Sequence, residues 1–253
     1  MGPAALVFDV DGTLAETDDV RRAAFNLTFQ DMGLRWRWSR RVYGDLRAHV
    51  SSAEKIERFM QHHNLDNGPK LDIKGLARRQ TLHYHRLLES GAVQLRPGVA
   101  RLIRETQAST TKLAVAGLAN RQEFECLIIN HLGISGLESF DAVITREDLP
   151  DDAHAREAYS KALNLLGISG KDAIAIDDSE EGIQAAHSLG MQTIATPSIY
   201  TSHAAFHDAD LAISDLGHPA APFQVLKGTP GHHNFASLDA IRDWGQQRAQ
   251  IAA

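Results

Sequence analysis

The sequence is poor in the features that mark secreted, membrane-embedded and nucleic-acid-binding proteins. Its single cysteine, Cys126, cannot form an internal disulfide. No run approaches the roughly 18 consecutive apolar residues that span a bilayer, and the first apolar run begins almost at Met1, which leaves no room for a signal peptide. Acidic residues outnumber basic ones by 32 to 26, and the basic residues are scattered. We therefore expect a cytoplasmic protein that binds a small molecule or another protein, and neither nucleic acid nor a membrane.

The sequence does contain an alternation of short apolar runs and amphipathic segments. The runs are too short for helices and are typical of strands buried on both faces; they lie at 4–8, 113–116, 142–144, 173–176, 193–195 and 211–213. Helical patterns separate them, at 99–107, 121–132, 157–166 and 180–189, and glycine follows the last three. This alternation predicts an α/β fold, a doubly wound parallel sheet that binds ligands beyond the carboxyl ends of its strands.

Residues 17–91 interrupt this alternation. The segment has no run typical of a strand and has helical patterns at 20–32, 53–63 and 73–89. We interpret it as a helical cap inserted after the first strand, which leaves 1–16 and 92–253 as the α/β core. Because two linkers join such an insert to the core, it can move as a lid. The tail after Ile213 is rich in proline and glycine, and we expect loops there until a last helix from about Ser237.

Four carboxylates follow two of the predicted strands. Asp9 and Asp11 come after the first strand, and Asp177 and Asp178 come after the strand at 173–176. The first pair alone is also compatible with an ordinary Asp-rich turn. Two such clusters at neighbouring strand ends repel each other unless a cation lies between them, and carboxylate oxygens are ligands of divalent cations. The sequence therefore predicts a Mg²⁺ site.

The two acidic segments resemble the first and fourth motifs of the haloacid dehalogenase-like superfamily. They read Phe-Asp-Val-Asp-Gly-Thr-Leu at 8–14 and Ile-Asp-Asp-Ser-Glu-Glu-Gly-Ile at 176–183. More narrowly, segments 15–17, 24–26, 33–38, 215–219 and 222–226 are similar to the CbbY-like branch, which contains xylulose bisphosphate phosphatases. The similarity runs nearly end to end, and it implies a Rossmannoid core with a helical cap.

The resemblance implies an enzyme that hydrolyses a small phosphorylated compound, such as a sugar phosphate, in two steps. Asp9 would attack phosphorus to form an aspartyl-phosphate, and Asp11 would protonate the leaving oxygen and then activate water. The resemblance also implies that Mg²⁺ is held by the Asp9 carboxylate, the Asp11 backbone carbonyl and Asp178, with Asp177 reaching it directly or through water. An aspartate at position 11 favours phosphate chemistry over dehalogenation.

The chain departs from the family pattern at positions that normally contact the phosphate. Gly117 stands where the second motif has Ser or Thr, and Ala153 stands where the third motif has Lys, six residues before Tyr159. In the insert, Ser-Ser-Ala at 51–53 replaces Gly-Gly-Lys, and Arg21 replaces the His of the mutase branch, which disfavours a phosphomutase. Since losing one preorganised donor typically costs about 10² to 10³ in rate, we expect weak hydrolysis.

Two hypotheses for function follow from these departures. The first is a weak phosphatase, and the second is a degenerate family member that keeps the fold and metal site but acts as a binding or regulatory partner of an unknown protein. A cation that replaces the missing lysine would favour the first; the candidates are Arg156, Arg146, Lys161 and Arg121.

Histidine pairs and tryptophans invite other interpretations. His62 with His63, and His232 with His233, show no spacing to an acid or cysteine that defines a transition-metal site, and Trp36 and Trp38 are more typical of packing in a small helical unit. We interpret the histidines as ordinary surface or core residues and the tryptophans as packing residues.

Overall fold

The computed structural model describes residues 2–47, 51–65 and 71–251, with side chains up to residue 246. The chain divides into two compact units, one formed by Met1–Glu16 with Gln94–Ala253 and the other by Thr17–Val93. The first unit is α/β, and the second consists of helices and their connections in its described residues. Within the described residues, no helix is both long and apolar enough to cross a bilayer.

The α/β unit is built on a seven-stranded sheet of order β3-β2-β1-β4-β5-β6-β7. The strands are β1 (Ala5–Phe8), β2 (Lys112–Ala116), β3 (Ala142–Ile144), β4 (Ala173–Asp177), β5 (Gln192–Ala195), β6 (Leu211–Ile213) and β7 (Val225–Lys227). All neighbours are parallel except β6 and β7. The helices of this unit are α5 (Val99–Gln107), α6 (Arg121–Leu137), α7 (Ala155–Leu166), α8 (Glu180–Ser188) and α9 (Leu238–Ile251). The α/β prediction is confirmed.

The central position of β1 decides where a site can form. Its four residues are fully buried, and Phe8 is in register with Val115 of β2 on one side and with Ile176 of β4 on the other. The chain runs outward from β1 through β2 to β3 and then crosses back to β4. Strand order reverses at this point, so the residues that follow β1 and β4 face the crevice where open α/β sheets bind ligands.

The helical unit contains α1 (Thr17–Asp31), α2 (Arg40–Leu46), α3 (Ser52–His62) and α4 (Ile73–Glu89). Its core is aromatic: the Trp38 side chain is fully buried, with ring centroids 4.3 Å from Phe25, 5.1 Å from Phe29 and 5.4 Å from Phe59. The geometry fits the packing role expected for Trp38, since offset and edge contacts between aromatic rings at these distances are favourable.

The structure adds two elements that the sequence did not predict and alters a third. The short helix α2 and the antiparallel strand β7 were not expected. Helix α6 runs five residues beyond the predicted end, but Gly133 inside it has φ 70° and ψ −174°, so the chain kinks where the glycine was expected to stop the helix. Cys126 is partly buried.

Candidate active site

Three of the four predicted carboxylates come together beyond the carboxyl ends of β1 and β4. Asp9 follows β1, Asp177 is the last residue of β4, and Asp178 comes next. One carboxylate oxygen from each lies within 4.8 Å of the others, and the Asp177 and Asp178 residues are only 3% exposed. The Asp9 backbone N–H donates to the Ile176 carbonyl at 3.0 Å, which fixes the distance between the two strand ends. The Asp11 carboxylate is not in this group. The family resemblance implies that Asp11 contacts Mg²⁺ through its backbone carbonyl and not through its carboxylate.

The turn after β1 depends on Gly12. Its φ of 86° lies in the left-handed region that favours glycine. A Cβ at this position would lie 2.4 Å from Asp178 Oδ2, so the absence of a side chain also makes room for that carboxylate. Backbone hydrogen bonds hold the turn, from the Gly12 N–H to the Ala15 carbonyl at 2.8 Å and from the Leu14 N–H to the Val10 carbonyl at 2.9 Å.

Each clustered carboxylate has a hydroxyl donor. Asp177 accepts from the Tyr159 hydroxyl at 2.6 Å and also from the Ser179 N–H and hydroxyl, both at 2.8 Å. Asp178 accepts from the Thr201 hydroxyl at 3.0 Å, and Asp9 accepts from the Thr13 hydroxyl at 3.2 Å. These neutral donors orient the carboxylates without neutralising their charge.

The electrostatics of the cluster are those of crowded acids. Burial, followed by repulsion from Asp177, Asp178 and Asp11, raises the pKa of Asp9 well above its ordinary value. Burial also raises the pKa of Asp177, although the hydrogen bonds from Tyr159 and Ser179 act in the opposite direction. The protein alone therefore disfavours full ionisation of this cluster.

Gly117, the residue that follows β2, touches Asp9. A Cβ built on Gly117 would lie 2.5 Å from Asp9 Oδ1, so the Asp9 carboxylate occupies space that any larger residue would fill. Ala153 is buried in the turn before α7, where its N–H donates to the Pro150 carbonyl at 3.0 Å. Neither position offers a side-chain donor to an anion beside Asp9.

The candidate replacement cations have other partners or are exposed. The guanidinium of Arg121 donates to Asp148 at 2.6 Å, and Lys161 donates to the Asp148 carbonyl. Arg146 donates to the carbonyls of Ala153 and Pro150, and Arg156 is exposed. Among the residues that the structure describes, no lysine or arginine forms an ion pair with Asp9.

Arg96 is a buried residue beside the site, and no motif of the sequence points to it. Its side chain is 8% exposed. One guanidinium nitrogen donates to the carbonyls of Gly12 and of Thr196, the latter at 2.6 Å, and the other donates to the carbonyls of Pro197 and Ser214, both at 2.8 Å. The guanidinium therefore ties the turn after β1 to the loops after β5 and β6.

The helical unit has a cationic group of its own. Burial lowers the pKa of Lys55, with Asp18 acting against the shift and Arg21 adding to it. The Arg21 guanidinium lies 4.1 Å above the centre of the Tyr84 ring. Lys55 lies two residues beyond Ala53, the position at which the family pattern has lysine.

The comparisons with known proteins identify the family. The family model of the haloacid dehalogenase-like hydrolases matches residues 6–196. The protein CbbY of Rhodobacter capsulatus is 36% identical over 227 residues, which cover 89% of this chain and 98% of that protein. The plasmid-encoded CbbY of Cupriavidus necator is 32% identical over 245 residues, which cover 95% and 96%. The chain belongs to the haloacid dehalogenase-like hydrolase family. Within it, the chain falls in the CbbY-like branch.

Solved structures support the same assignment. A crystal structure of a mutant CbbY from Rhodobacter sphaeroides in complex with xylulose-(1,5)bisphosphate matches with a TM-score of 0.72 and 34% identity, covering 86% of this chain and 98% of that one. The β-phosphoglucomutase of Clostridium difficile matches with a TM-score of 0.67 at 18% identity, and this match supports the fold alone.

Proposed function

We propose that the protein is a Mg²⁺-dependent phosphoric monoester hydrolase that acts slowly on a small phosphorylated sugar. The observation that carries the proposal is the convergence of Asp9, Asp177 and Asp178 at the strand-order reversal, in a chain of the CbbY-like branch. The xylulose bisphosphate bound by the Rhodobacter sphaeroides relative supports a phosphorylated sugar as the substrate class.

The residues fit a divalent cation. Three carboxylate oxygens lie within 4.8 Å of one another. Burial and repulsion from Asp177 and Asp178 raise the pKa of Asp9, and burial raises the pKa of Asp177. A hard cation that prefers oxygen ligands relieves this repulsion and keeps the carboxylates ionised. Asp9, Asp178 and the Asp11 carbonyl would hold Mg²⁺, with Asp177 reaching it directly or through water. When bound, Mg²⁺ offsets the repulsion between the attacking carboxylate and the phosphate dianion.

In the proposed reaction Asp9 is the nucleophile. Its carboxylate oxygen attacks phosphorus as the bond from phosphorus to the ester oxygen breaks, and Asp11 donates its proton to the leaving alcohol. Asp11 then takes a proton from water, which attacks the phosphorus of the aspartyl-phosphate and releases inorganic phosphate while Asp9 is regenerated. The hydrogen bond from the Thr13 hydroxyl, at 3.2 Å, orients the Asp9 carboxylate for attack.

The low rate follows from the donors that are missing. Gly117 and Ala153 offer no side-chain donor to the transferring phosphoryl group, and no lysine or arginine of the described residues pairs with Asp9. Each lost donor typically costs about 10² to 10³ in rate, so two losses reduce turnover by roughly 10⁴ or more if they act independently.

The missing donors at Gly117 and Ala153 also favour a second candidate function. A family member that binds a phosphorylated sugar and Mg²⁺ without turning the sugar over could act as a regulatory or binding partner of another protein. This alternative requires only the acidic cluster and the fold, and it needs no lysine or arginine beside Asp9.

The test compares turnover of p-nitrophenyl phosphate and sugar bisphosphates, with and without Mg²⁺, in the wild type and in Asp9→Asn. We expect slow, Mg²⁺-dependent release of phosphate that Asp9→Asn abolishes. In Ala153→Lys we expect an increase of roughly 10², because one donor is restored; Gly117 is left unchanged, since a Cβ there would lie 2.5 Å from Asp9 Oδ1 and displace the nucleophile. Turnover that is unchanged in Asp9→Asn contradicts the mechanism. Sugar bisphosphate binding in calorimetry without any turnover, even in Ala153→Lys, favours the binding protein.

A further inference from the structure

We propose that His232, His233 and Asp243 form a second metal site, which binds a divalent transition-metal ion of the Zn²⁺ class. One ligand atom from each residue lies within 4.8 Å of the others. The site belongs to the α/β unit and shares no residue with the Asp9 cluster. The sequence predicts only ordinary surface or core histidines here, because Asp243 lies ten residues beyond His233 and no ligand spacing connects them.

Two elements bring the ligands together. The histidines end a turn that follows β7, in which Gly231 has φ 65° and the His233 N–H donates to the Pro230 carbonyl at 3.3 Å. Asp243 lies on α9. Its Oδ2 is 2.8 Å from His233 Nε2, and the rings of His232 and His233 have centroids 4.0 Å apart. The two imidazoles and the carboxylate therefore point into one small region.

The separations suit tetrahedral coordination. With Zn²⁺ bonds of about 2.0 to 2.1 Å, two ligand atoms of a tetrahedral site lie about 3.3 Å apart. His233 Nε2 and Asp243 Oδ2, at 2.8 Å, are slightly closer than this. The His232 ligand atom lies within 4.8 Å of both, and rotation of the exposed His232 ring can shorten these distances to the tetrahedral value. Water completes the four ligands.

The donor set also selects the class of metal. Imidazole nitrogen suits Zn²⁺, Co²⁺, Ni²⁺ and Cu²⁺, whereas Mg²⁺ takes oxygen ligands in octahedral geometry. Two nitrogens and one carboxylate oxygen therefore favour a transition metal. The acidic cluster of Asp9, Asp177 and Asp178 offers only oxygen ligands, which suit Mg²⁺, so excess Mg²⁺ occupies that cluster and separates the two sites experimentally.

The protein fixes this region before any metal binds. Trp244, next to Asp243, is 3% exposed, and its indole N–H donates to the Pro230 carbonyl at 2.9 Å. The Trp244 ring packs edge-on against His233, with centroids 6.1 Å apart. The His233 side chain is 15% exposed and that of Asp243 is 48% exposed, so the protein packs against one side of the site and solvent reaches the other. Binding the ion thus requires little reorganisation, which favours affinity.

The chain supplies a matched control in its other histidine pair. His62 and His63 are also adjacent, and their rings are 5.2 Å apart at the end of α3. Among the described residues, no acid or cysteine joins them in a group of three possible ligands. Two neighbouring histidines alone are therefore not expected to bind the ion as tightly as two histidines with Asp243.

The experiment is calorimetric titration of the full chain, without a histidine tag, with ZnCl₂ in excess MgCl₂. We expect one Zn²⁺ site that His232→Ala with His233→Ala abolishes and that Asp243→Asn weakens by roughly tenfold or more. His62→Ala with His63→Ala and, separately, Asp178→Asn keep the site. The single variant His232→Ala removes an exposed ring and leaves the bond from His233 to Asp243 intact, so it weakens Zn²⁺ binding without unfolding the chain.

A second readout is thermal stability. Zn²⁺ that bridges the turn and α9 raises the melting temperature of the wild type and of His62→Ala with His63→Ala, and it raises that of His232→Ala by less at the same Zn²⁺ concentration. Equal Zn²⁺ affinity in the wild type and in His232→Ala with His233→Ala overturns the proposal, as does loss of the site in Asp178→Asn alone. The proposed phosphatase activity plays no part in either readout.

Discussion

At the scale of single residues, Gly12 constrains the turn that follows β1 in two ways. Its φ of 86° is strained for any L-residue with a side chain, and a Cβ would lie 2.4 Å from Asp178 Oδ2. The Asp178 carboxylate cannot simply move aside, because the residue is 3% exposed and accepts a hydrogen bond from Thr201 at 3.0 Å. Substitution at this position therefore adds steric displacement to backbone strain.

We predict that Gly12→Ala destabilises the protein more than Gly33→Ala does. Gly33 has a similar φ of 67° but nothing within 4 Å of its would-be Cβ, so Gly33→Ala costs only the left-handed strain of about 1 to 2 kcal/mol. Gly12→Ala adds about 1 to 3 kcal/mol for the disturbed buried hydrogen bond of Asp178. Urea unfolding of both variants measures the difference, and equal losses would show that contact with Asp178 is irrelevant.

The residues of the acidic cluster could be predicted, but their partners could not. Asp9, Asp177 and Asp178 stand directly after buried strands, and local sequence is enough to place them at one sheet edge. Tyr159 and Thr201 are 18 and 23 residues away from the carboxylates they contact, and only the packed fold brings them there. A hydroxyl donor has no sequence pattern of its own at such separations.

At the scale of elements, Arg96 joins three loops through backbone carbonyls. Burying a guanidinium is unfavourable unless its donors are paired, and here four carbonyl acceptors, of Gly12, Thr196, Pro197 and Ser214, meet it. Removing the side chain leaves several of these buried acceptors without a donor, and each costs about 1 to 3 kcal/mol.

We predict that Arg96→Ala lowers the free energy of unfolding by at least about 3 kcal/mol, because more than one buried acceptor loses its partner. Arg104→Ala, at an exposed position of α5, is the control and should change stability by less than about 0.5 kcal/mol. Denaturant unfolding of both variants decides the matter. A loss below 1 kcal/mol in Arg96→Ala, on the order of a surface substitution, would contradict the role we assign to this guanidinium.

Asp148 is the last residue of the short 3-10 helix at Arg146–Asp148, and its contacts depend on pH. Partial burial acts to raise the pKa of Asp148. Its carboxylate accepts hydrogen bonds from the Thr145 N–H and hydroxyl, both at 2.9 Å, and from Arg121 at 2.6 Å. These hydrogen bonds outweigh burial and lower the pKa below its ordinary value of 3.8. A carboxyl group with a lowered folded pKa stabilises the fold above its ordinary pKa. This contribution is lost as the pH falls through the folded value.

We therefore predict that Asp148→Asn costs about 1 kcal/mol of unfolding free energy near pH 6, a small value because Asp148 and Arg121 are both partly exposed. The difference between the wild type and this variant should shrink as the pH falls below 3.8. Urea unfolding across this range measures it, with exposed Asp151→Asn as the control. A difference that stays constant with pH would exclude ionisation of Asp148 as its cause.

Elements with strong local patterns could be predicted, and those that depend on long-range contacts could not. Helices α4 and α5 begin and end where their apolar periodicity indicates. Strand β7 has three residues, two of them exposed, and it exists only because β6 offers an edge for antiparallel pairing. Helix α2 has seven residues and contains Gly44, so its propensity is weak, and burial of Tyr43 and Leu46 in the helical unit stabilises it.

At the scale of the whole molecule, the acidic cluster is part of a protein whose net charge is −6. Because folding gathers Asp9, Asp177 and Asp178 into one crevice and burial opposes their ionisation, the folded state carries a local repulsion that the unfolded chain lacks. A divalent cation at this cluster binds the folded state alone, so its binding free energy adds to the stability of the protein. The proposed metal dependence can thus be tested without a substrate.

We predict that Mg²⁺ raises the melting temperature of the wild type and that Asp178→Asn removes this increase. At a Mg²⁺ concentration about 100 times the dissociation constant, the gain is about 2.7 kcal/mol, which corresponds to roughly 5 to 10 °C for a chain of this size. NaCl at the same ionic strength controls for general screening of the net negative charge, which stabilises both proteins equally. An equal increase in the wild type and in Asp178→Asn, or an increase that NaCl reproduces in full, would mean that the three carboxylates do not form a Mg²⁺ site. Retention of the increase in His232→Ala with His233→Ala would separate this site from the proposed Zn²⁺ site, since the two share no ligand.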